Sequence, residues 1–298
     1  MWKYILDDIL SGNVKALARC ISLVENEVTG YDQILKDLPP SIIPVIGLTG
    51  PPGAGKSTLA DALIEVLVAQ NKKVGVLCVD PTSPFNFGAL LGDRIRMNQW
   101  YNNPNVYIRS LASRGSLGGL NPKIIEITDV MRAAPFDMII VETVGVGQTE
   151  VEIAGIADAT VVVLVPEGGD EVQAMKSGLM EIADLFVVNK ADRPGTDDMV
   201  RNLRSMMAPG FNNDRRTPVI KASAVQKTGI DEVLNGILEF LQIPATNNKK
   251  LWLMAEKAFL LIQQKRMKDI SKIQLKQQIE EGLNAQAFNL YSFIEKYK

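Results

Sequence analysis

The chain has 298 residues, 46% of them hydrophobic and 22% charged, with a formal net charge of -2; this balance suits a soluble globular protein and gives no global attraction to nucleic acid or anionic membranes. Two cysteines and no histidine exclude a disulfide framework and a Cys/His metal cage. The opening MWKYILDDIL places Asp7 and Asp8 where a signal peptide would continue its apolar stretch, and apolar runs such as Val161 to Val165 are too short to span a bilayer, so a cytoplasmic location is expected.

From residue 1 to about 40, Ile5, Ile9, Leu17, Ile21 and Val24 recur at near-helical spacing until Pro39 and Pro40, which predicts a helical lead-in. From 41 to 245, seven short apolar runs read as strands: VIGLTG, KVGVLCVD, NVYIRS, DMIIVET, ATVVVLV, LFVVNK and PVIKAS. Segments of helical length separate them. Continuous apolar strands alternating with helices predict an α/β fold with a mostly parallel sheet covered by helices on both faces. Loops are expected at 86–96, 113–119 and 208–216. After Pro244, Leu, Lys, Gln and Glu dominate, and 246–298 reads as a carboxy-terminal helical arm. Ala258, Phe259, Leu260 and Ile262 give it an apolar face too wide for an isolated solvated helix, so it should pack on the main domain or on a second copy.

Directly after VIGLT comes Gly50-Pro51-Pro52-Gly53-Ala54-Gly55-Lys56-Ser57-Thr58, followed by the helical LADALIEVLVAQ. This is a Walker A pattern in its strand-loop-helix context, and by composition it arises by chance in only about 1% of chains this long. Its glycines let successive N–H groups turn in around a polyphosphate, Lys56 reaches the β and γ oxygens, and Ser57 is placed to ligate Mg²⁺. A second signal is Asn189-Lys190-Ala191-Asp192 after LFVV. In P-loop GTPases the Asp of this motif accepts from guanine N1–H and the exocyclic amine, which adenine lacks at that edge. Ser223-Ala224, about thirty residues on, stands where such proteins place the N–H that meets guanine O6.

A third element is the strand ending in Glu142 before Gly145, the usual arrangement for a water-mediated Mg²⁺ ligand beside a γ-phosphate sensor. Val146 stands where Ras-like proteins carry the Gln that orients the attacking water, so intrinsic hydrolysis should be slow or assisted from another segment, with Gln148 one substitute. Asp80, ending the second strand, and Asp93, in LGDRIRM with Arg96, are candidates to face the metal; a solvated loop acid or a helix cap is the alternative for each.

Taken together, VDPTSPFNFGALLGDRIRM, SRGSLGGL, DMIIVETVGVGQTE, VPEGGDEVQAMKSGLMEIADLFVVNKAD, ALARCISLVENE and LWLMAEKAFLLI resemble, over nearly the whole chain, a family of GTPases. These were formerly labelled lysine/arginine/ornithine-transport kinases, and they act as metallochaperones for adenosylcobalamin-dependent acyl-CoA mutases such as methylmalonyl-CoA mutase. The resemblance implies a homodimeric G domain of the signal-recognition-particle-like class. It implies GTP or GDP as ligand with Mg²⁺, no tightly bound organic cofactor, and Asp80, Asp93 and Glu142 near metal and nucleotide. It also implies a third switch around Asp170, Gln173 and Lys176 that couples nucleotide state to the mutase, although Asp170 after Gly168-Gly169, taken alone, reads first as a helix N-cap. The implied partners are a mutase and a second copy of the chain, without nucleic acid or membrane. Nickel-insertion maturation GTPases bind metal through Cys and His, which the absence of histidine disfavours. A nucleotide-sensing scaffold without hydrolysis is the remaining alternative.

Overall fold

The computed structural model describes residues 2–80, 97–113, 120–143, 153–167, 178–207, 217–243, 247–284 and 288–297. Of the expected loops, 86–96, 114–119 and 208–216 lie outside these residues, as do Asp93, Arg96, Val146, Gln148, Asp170, Gln173 and Lys176. The described chain forms two compact units, 1–249 and 250–298.

The first unit opens with three helices, α1 (Trp2–Leu10), α2 (Val14–Glu25) and α3 (Tyr31–Lys36). The apolar spacing seen in the sequence becomes a buried stripe of Ile5, Ile9, Leu17, Ile21 and Val24. Asn13 starts α2 by accepting from the N–H groups of Lys15 and Ala16 at 3.0 and 3.1 Å, two donors that the first helical turn leaves without intrahelical partners. These helices pack beside α5 (Ile124–Ala133).

Between them and the end of the unit run β1 (Val45–Thr49), α4 (Lys56–Ala69), β2 (Val74–Asp80), a 3-10 turn (Asn98–Trp100), β3 (Val106–Ala112), α5 and β4 (Met138–Glu142). Then come β5 (Ala159–Leu164), α6 (Leu179–Ile182), β6 (Leu185–Val188), α7 (Thr196–Met206), β7 (Val219–Lys221) and α8 (Ile230–Gln242). All seven expected runs are strands, paired in parallel in the order β3-β2-β4-β1-β5-β6-β7. The run at β5 shows why these strands read as continuously apolar. Val161 and Val163 join one core with Leu59, Leu63, Val233 and Ile237, while Val162 and Leu164 join another with Phe186, Met199 and Leu203. Successive side chains point to opposite faces, and both faces are covered.

Because every strand is parallel, their carboxy-terminal ends share one edge, and β1 sits centrally between β4 and β5. In open α/β sheets ligands bind in the crevice at such a point.

The second unit is helical, with α9 (Asn247–Arg266) leading into it, then α10 (Lys272–Asn284) and α11 (Leu290–Ile294). Among its described residues Phe293 packs between Phe288 and Tyr297, each ring centroid 5.6 Å away. Met254, Phe259, Leu260 and Ile262 of α9 are exposed. No helix among the described residues is long and apolar enough to cross a membrane.

Candidate nucleotide site

The loop leaving β1 is shaped by its glycines. Gly50, Gly53 and Gly55 have φ of 135°, 79° and 85°, a region that side chains with a Cβ rarely adopt. At two of them close approach adds a second requirement. A Cβ on Gly50 would lie 2.1 Å from the Val163 carbonyl oxygen, and one on Gly55 would lie 2.4 Å from Asn189 Nδ2.

Lys56 and Ser57 open α4 and are buried. The Lys56 ammonium donates to the carbonyls of Gly50 and Pro51 at 2.8 and 3.1 Å, so the cation is held inside the loop by backbone dipoles. Ser57 Oγ donates to Glu142 Oε1 at 2.6 Å. Glu142 reaches it because β4 lies beside β1 with Leu48 and Glu142 in register, and it is only 4% exposed. Next to this pair, Thr143 Oγ1 donates to Thr49 Oγ1 at 3.2 Å, joining residues 94 positions apart. The backbone puts Asp80 at the same sheet edge, two residues past Cys78, which is in register with Glu142. An alcohol and a buried carboxylate are hard oxygen donors that suit Mg²⁺, an ion that keeps water and phosphate oxygens in its shell beside its protein ligands.

The second half of the site hangs on Asn189, which follows β6. Its Nδ2 donates to the carbonyl of Ala54 at 2.9 Å and more weakly to that of Gly55 at 3.4 Å, while its Oδ1 accepts from the Ala224 N–H at 3.1 Å. One side chain thereby stitches the phosphate loop to the loop after β7. That second loop is closed by reciprocal backbone bonds between Ser223 and Thr228 at 2.9 and 3.1 Å. Lys190 takes the left-handed conformation, φ 55°, and turns the chain so that Asp192 meets Ser223, whose Oγ donates to Asp192 Oδ1 at 2.5 Å. This hydrogen bond, with a further one from backbone, holds the Asp192 carboxyl below the usual carboxylate range, so the group is an ionised acceptor at neutral pH.

Among the described residues, then, the fold brings Gly50 to Thr58, Glu142, Asn189 to Asp192 and Ser223-Ala224 to one edge. Residues the sequence did not single out support them. Glu65 of α4 pairs with Lys227 at 2.6 Å, tying the phosphate-binding helix to the loop after β7. Glu167, after β5, pairs with Arg193 beside Asp192. Their signal was invisible because each pair joins segments far apart in the chain.

A parallel sheet with a Walker A loop on its central strand and a carboxylate-bearing Asn-Lys-x-Asp loop beside it defines a P-loop GTPase. The family model described as methylmalonyl-CoA mutase-associated GTPase MeaB matches residues 17–279, and the chain belongs to that family. A Pyrococcus abyssi protein described as a GTPase is 46% identical over 243 residues, covering 79% of this chain and 74% of that one. A protein of Geobacillus kaustophilus named fused isobutyryl-CoA mutase is 39% identical over 211 residues, covering 67% of this chain but 19% of its own. Among solved structures, one titled LAO/AO transport system kinase shares the fold with a TM-score of 0.68 at 24% identity, covering 99% of this chain and 96% of that one. The chain is accordingly a GTPase that binds GTP and GDP.

Proposed function

We propose that this GTPase serves as a chaperone of an adenosylcobalamin-dependent acyl-CoA mutase, assisting cofactor loading and protection. The observation that carries the reading is the relative named fused isobutyryl-CoA mutase, in which a segment homologous to two thirds of this chain lies within a much longer protein. A GTPase covalently joined to a mutase meets it at a high effective concentration, which is useful where the two act on each other.

In this reading polyphosphate enters the loop 50–58, and its oxygens compete with the carbonyls of Gly50 and Pro51 for the Lys56 ammonium. Ser57, Glu142, Asp80 and Asp93 are the residues to hold Mg²⁺, which when bound neutralises charge on the transferring phosphoryl group. Glu142, already bonded to Ser57, orients that hydroxyl. Asp192 accepts from the guanine N1–H and amine, and guanine O6 shares the Ala224 N–H with Asn189. Asp170, Gln173 and Lys176 couple nucleotide state to the mutase, with Arg96 in the same role. The 246–298 arm joins two copies. The nickel-insertion alternative loses ground to the absence of histidine and the burial of both cysteines.

With Val146 in the usual water-orienting position, turnover by the free protein is slow and a partner raises it by ordering the site; GTP must then alter mutase affinity reciprocally. The test is GTPase rate against concentration of a cobalamin-dependent acyl-CoA mutase for wild type and Lys176→Glu. Stimulation of wild type with loss of stimulation in the variant, at similar GDP affinity, is the expected outcome. No stimulation of wild type sinks the chaperone reading for that mutase.

A further inference from the structure

The loop that follows β7 reaches the nucleotide edge at two points. The Ala224 N–H donates to Asn189 Oδ1 at 3.1 Å, on the same side chain that holds the phosphate loop at Ala54, and Ser223 Oγ donates to Asp192. From there the chain turns back through the Ser223–Thr228 backbone pair, passes Gly229 and enters α8, which packs on α4. The return is tight: Gly229 has φ 76°, and a Cβ there would lie 2.2 Å from the Lys221 carbonyl oxygen. Lys227 holds φ 56°. Of the four non-glycine residues with positive φ among the described residues, two are Lys190 and Lys227, one in each loop assigned to the base. Side chains with a Cβ enter this region at a cost, and the strain persists only where the surroundings fix it. At Lys227 the fixing contact comes from another element, because its ammonium donates to Glu65 Oε1 of α4 at 2.6 Å.

Glu65 stands about 12 Å along the helix axis from Ser57. The helix that presents Lys56 and Ser57 to phosphate therefore also grips the loop that carries Ala224. Nucleotide acts differently on the two ties that hold this loop. Guanine O6, as read above, shares the Ala224 N–H with Asn189, so entry of the base weakens the Asn189 bond. The Glu65–Lys227 pair takes no part in that exchange and keeps its strength. We infer that Glu65 is a positioning residue for guanine: through Lys227 it fixes the 223–228 turn relative to α4, so that the Ala224 N–H stays aimed at the 6-oxygen while Asn189 yields part of its bond. This rests on the reading of Ala224 as the O6 partner. The Lys227 and Glu65 side chains are 62% and 41% exposed, so the effect is modest and screened by salt.

The test uses the full-length protein and four variants: Glu65→Gln, Lys227→Gln, the two combined, and the charge-reversed pair Glu65→Lys/Lys227→Glu. Affinities are measured for GDP and for 6-thio-GDP, which keeps the N1–H and the amine but carries sulfur, a weak acceptor, in place of the 6-oxygen. At low salt each single variant should bind GDP about 3-fold more weakly, the scale of an exposed ion pair, and the preference for GDP over 6-thio-GDP should fall with it. The double variant should be no weaker than the weaker single one, because both remove the same contact. Charge reversal should recover GDP affinity, and at about 1 M salt the single variants should match wild type. Unchanged GDP affinity in both single variants overturns the proposal. So do losses that multiply in the double variant, or equal losses for GDP and 6-thio-GDP, which mark a merely structural role. If Glu65→Gln fails to fold, Lys227→Gln still decides. Wild type separates the two levels: equal affinity for GDP and 6-thio-GDP there removes the reading of Ala224 as the O6 partner, whereas a wild-type preference that persists undiminished in every variant removes only the tether.

Discussion

At the scale of single residues, the phosphate loop is governed by backbone conformation and by clearance, and the two can be separated. Gly50, Gly53 and Gly55 all have positive φ, yet a Cβ would meet a carbonyl oxygen at 2.1 Å on Gly50, a side-chain nitrogen at 2.4 Å on Gly55 and nothing within 4 Å on Gly53. Gly53→Ala should therefore cost only the conformational term, about 1–2 kcal/mol. Gly55→Ala should cost more, because it must also displace Asn189 from the loop, and Gly50→Ala most, since backbone of β5 cannot yield as a side chain can. Denaturant unfolding of the three variants should give that order, and an equal cost for all three would contradict it. Asp192 supplies a pH test. Its carboxyl is held below the usual carboxylate range, chiefly by the Ser223 hydroxyl. A depressed carboxylate acts as an acceptor above that range and loses the role only as pH falls below it. The ratio of GDP to IDP affinity, which isolates the guanine amine from phosphate titration, should thus be unchanged between pH 7 and pH 5. A ratio that collapses over this interval would assign the amine contact to a different group.

The elements show the same physics at a longer reach. α2 is bound to the edge strand β3 by Arg109, whose Nη2 donates to Ser22 Oγ at 3.1 Å and to Glu25 Oε2 at 3.0 Å. The two ion-pair side chains are 23% and 11% exposed. At that burial a charged hydrogen bond matters, and Arg109→Ala should destabilise the protein by about 1.5–3 kcal/mol. The pair Lys36–Asp32 on α3 is 64% and 55% exposed, so Lys36→Ala should cost no more than about 0.5 kcal/mol. Urea unfolding compares the two directly, and GDP affinity should be unaffected in both, because neither residue lies at the nucleotide edge. Lys123, at the start of α5, adds a second tie: burial alone would lower its pKa, but hydrogen bonds with Glu27, Tyr31 and Glu126 push it above the ordinary lysine range, so it is charged at neutral pH. The amino-terminal helices are thus fastened by charge to β3 through Arg109 and to the start of α5 through Lys123.

For the whole molecule, the two units differ in how they handle apolar surface. The first buries its strands on both faces. The second leaves Met254, Phe259, Leu260 and Ile262 of α9 and Ile273 of α10 exposed in the single chain, and its described side chains bury little beyond Phe293. Such a surface calls for a cover, and our reading is a second copy. Light scattering at micromolar concentration should show a dimer for the full chain, and a monomer that still binds GDP after truncation at Ile243. A monomeric full chain would refute the dimer.

Much of this architecture was legible beforehand because its causes are local. The strands announced themselves as short apolar runs, since a strand buried on both faces needs an apolar residue at every position. The phosphate loop was readable because backbone that must curl around an anion admits few residues other than glycine. The guanine loop was readable as a motif, but its working was not: the fold uses the Asn189 amide to join Ala54 and Gly55 to Ala224. Nothing in the chain order joins Ser57 to Glu142, Glu65 to Lys227, or Asp61 of α4 to Trp100. By itself the sequence determined the α/β fold class, the phosphate loop and the preference for guanine, all of which depend on residue type and spacing within a few turns of chain. Only the tertiary structure decided which carboxylate meets Ser57, which hydroxyl donates to Asp192 and which helix anchors residues 97–100, because hydrogen bonds act over about 3 Å and only the packed sheet brings such distant residues that close.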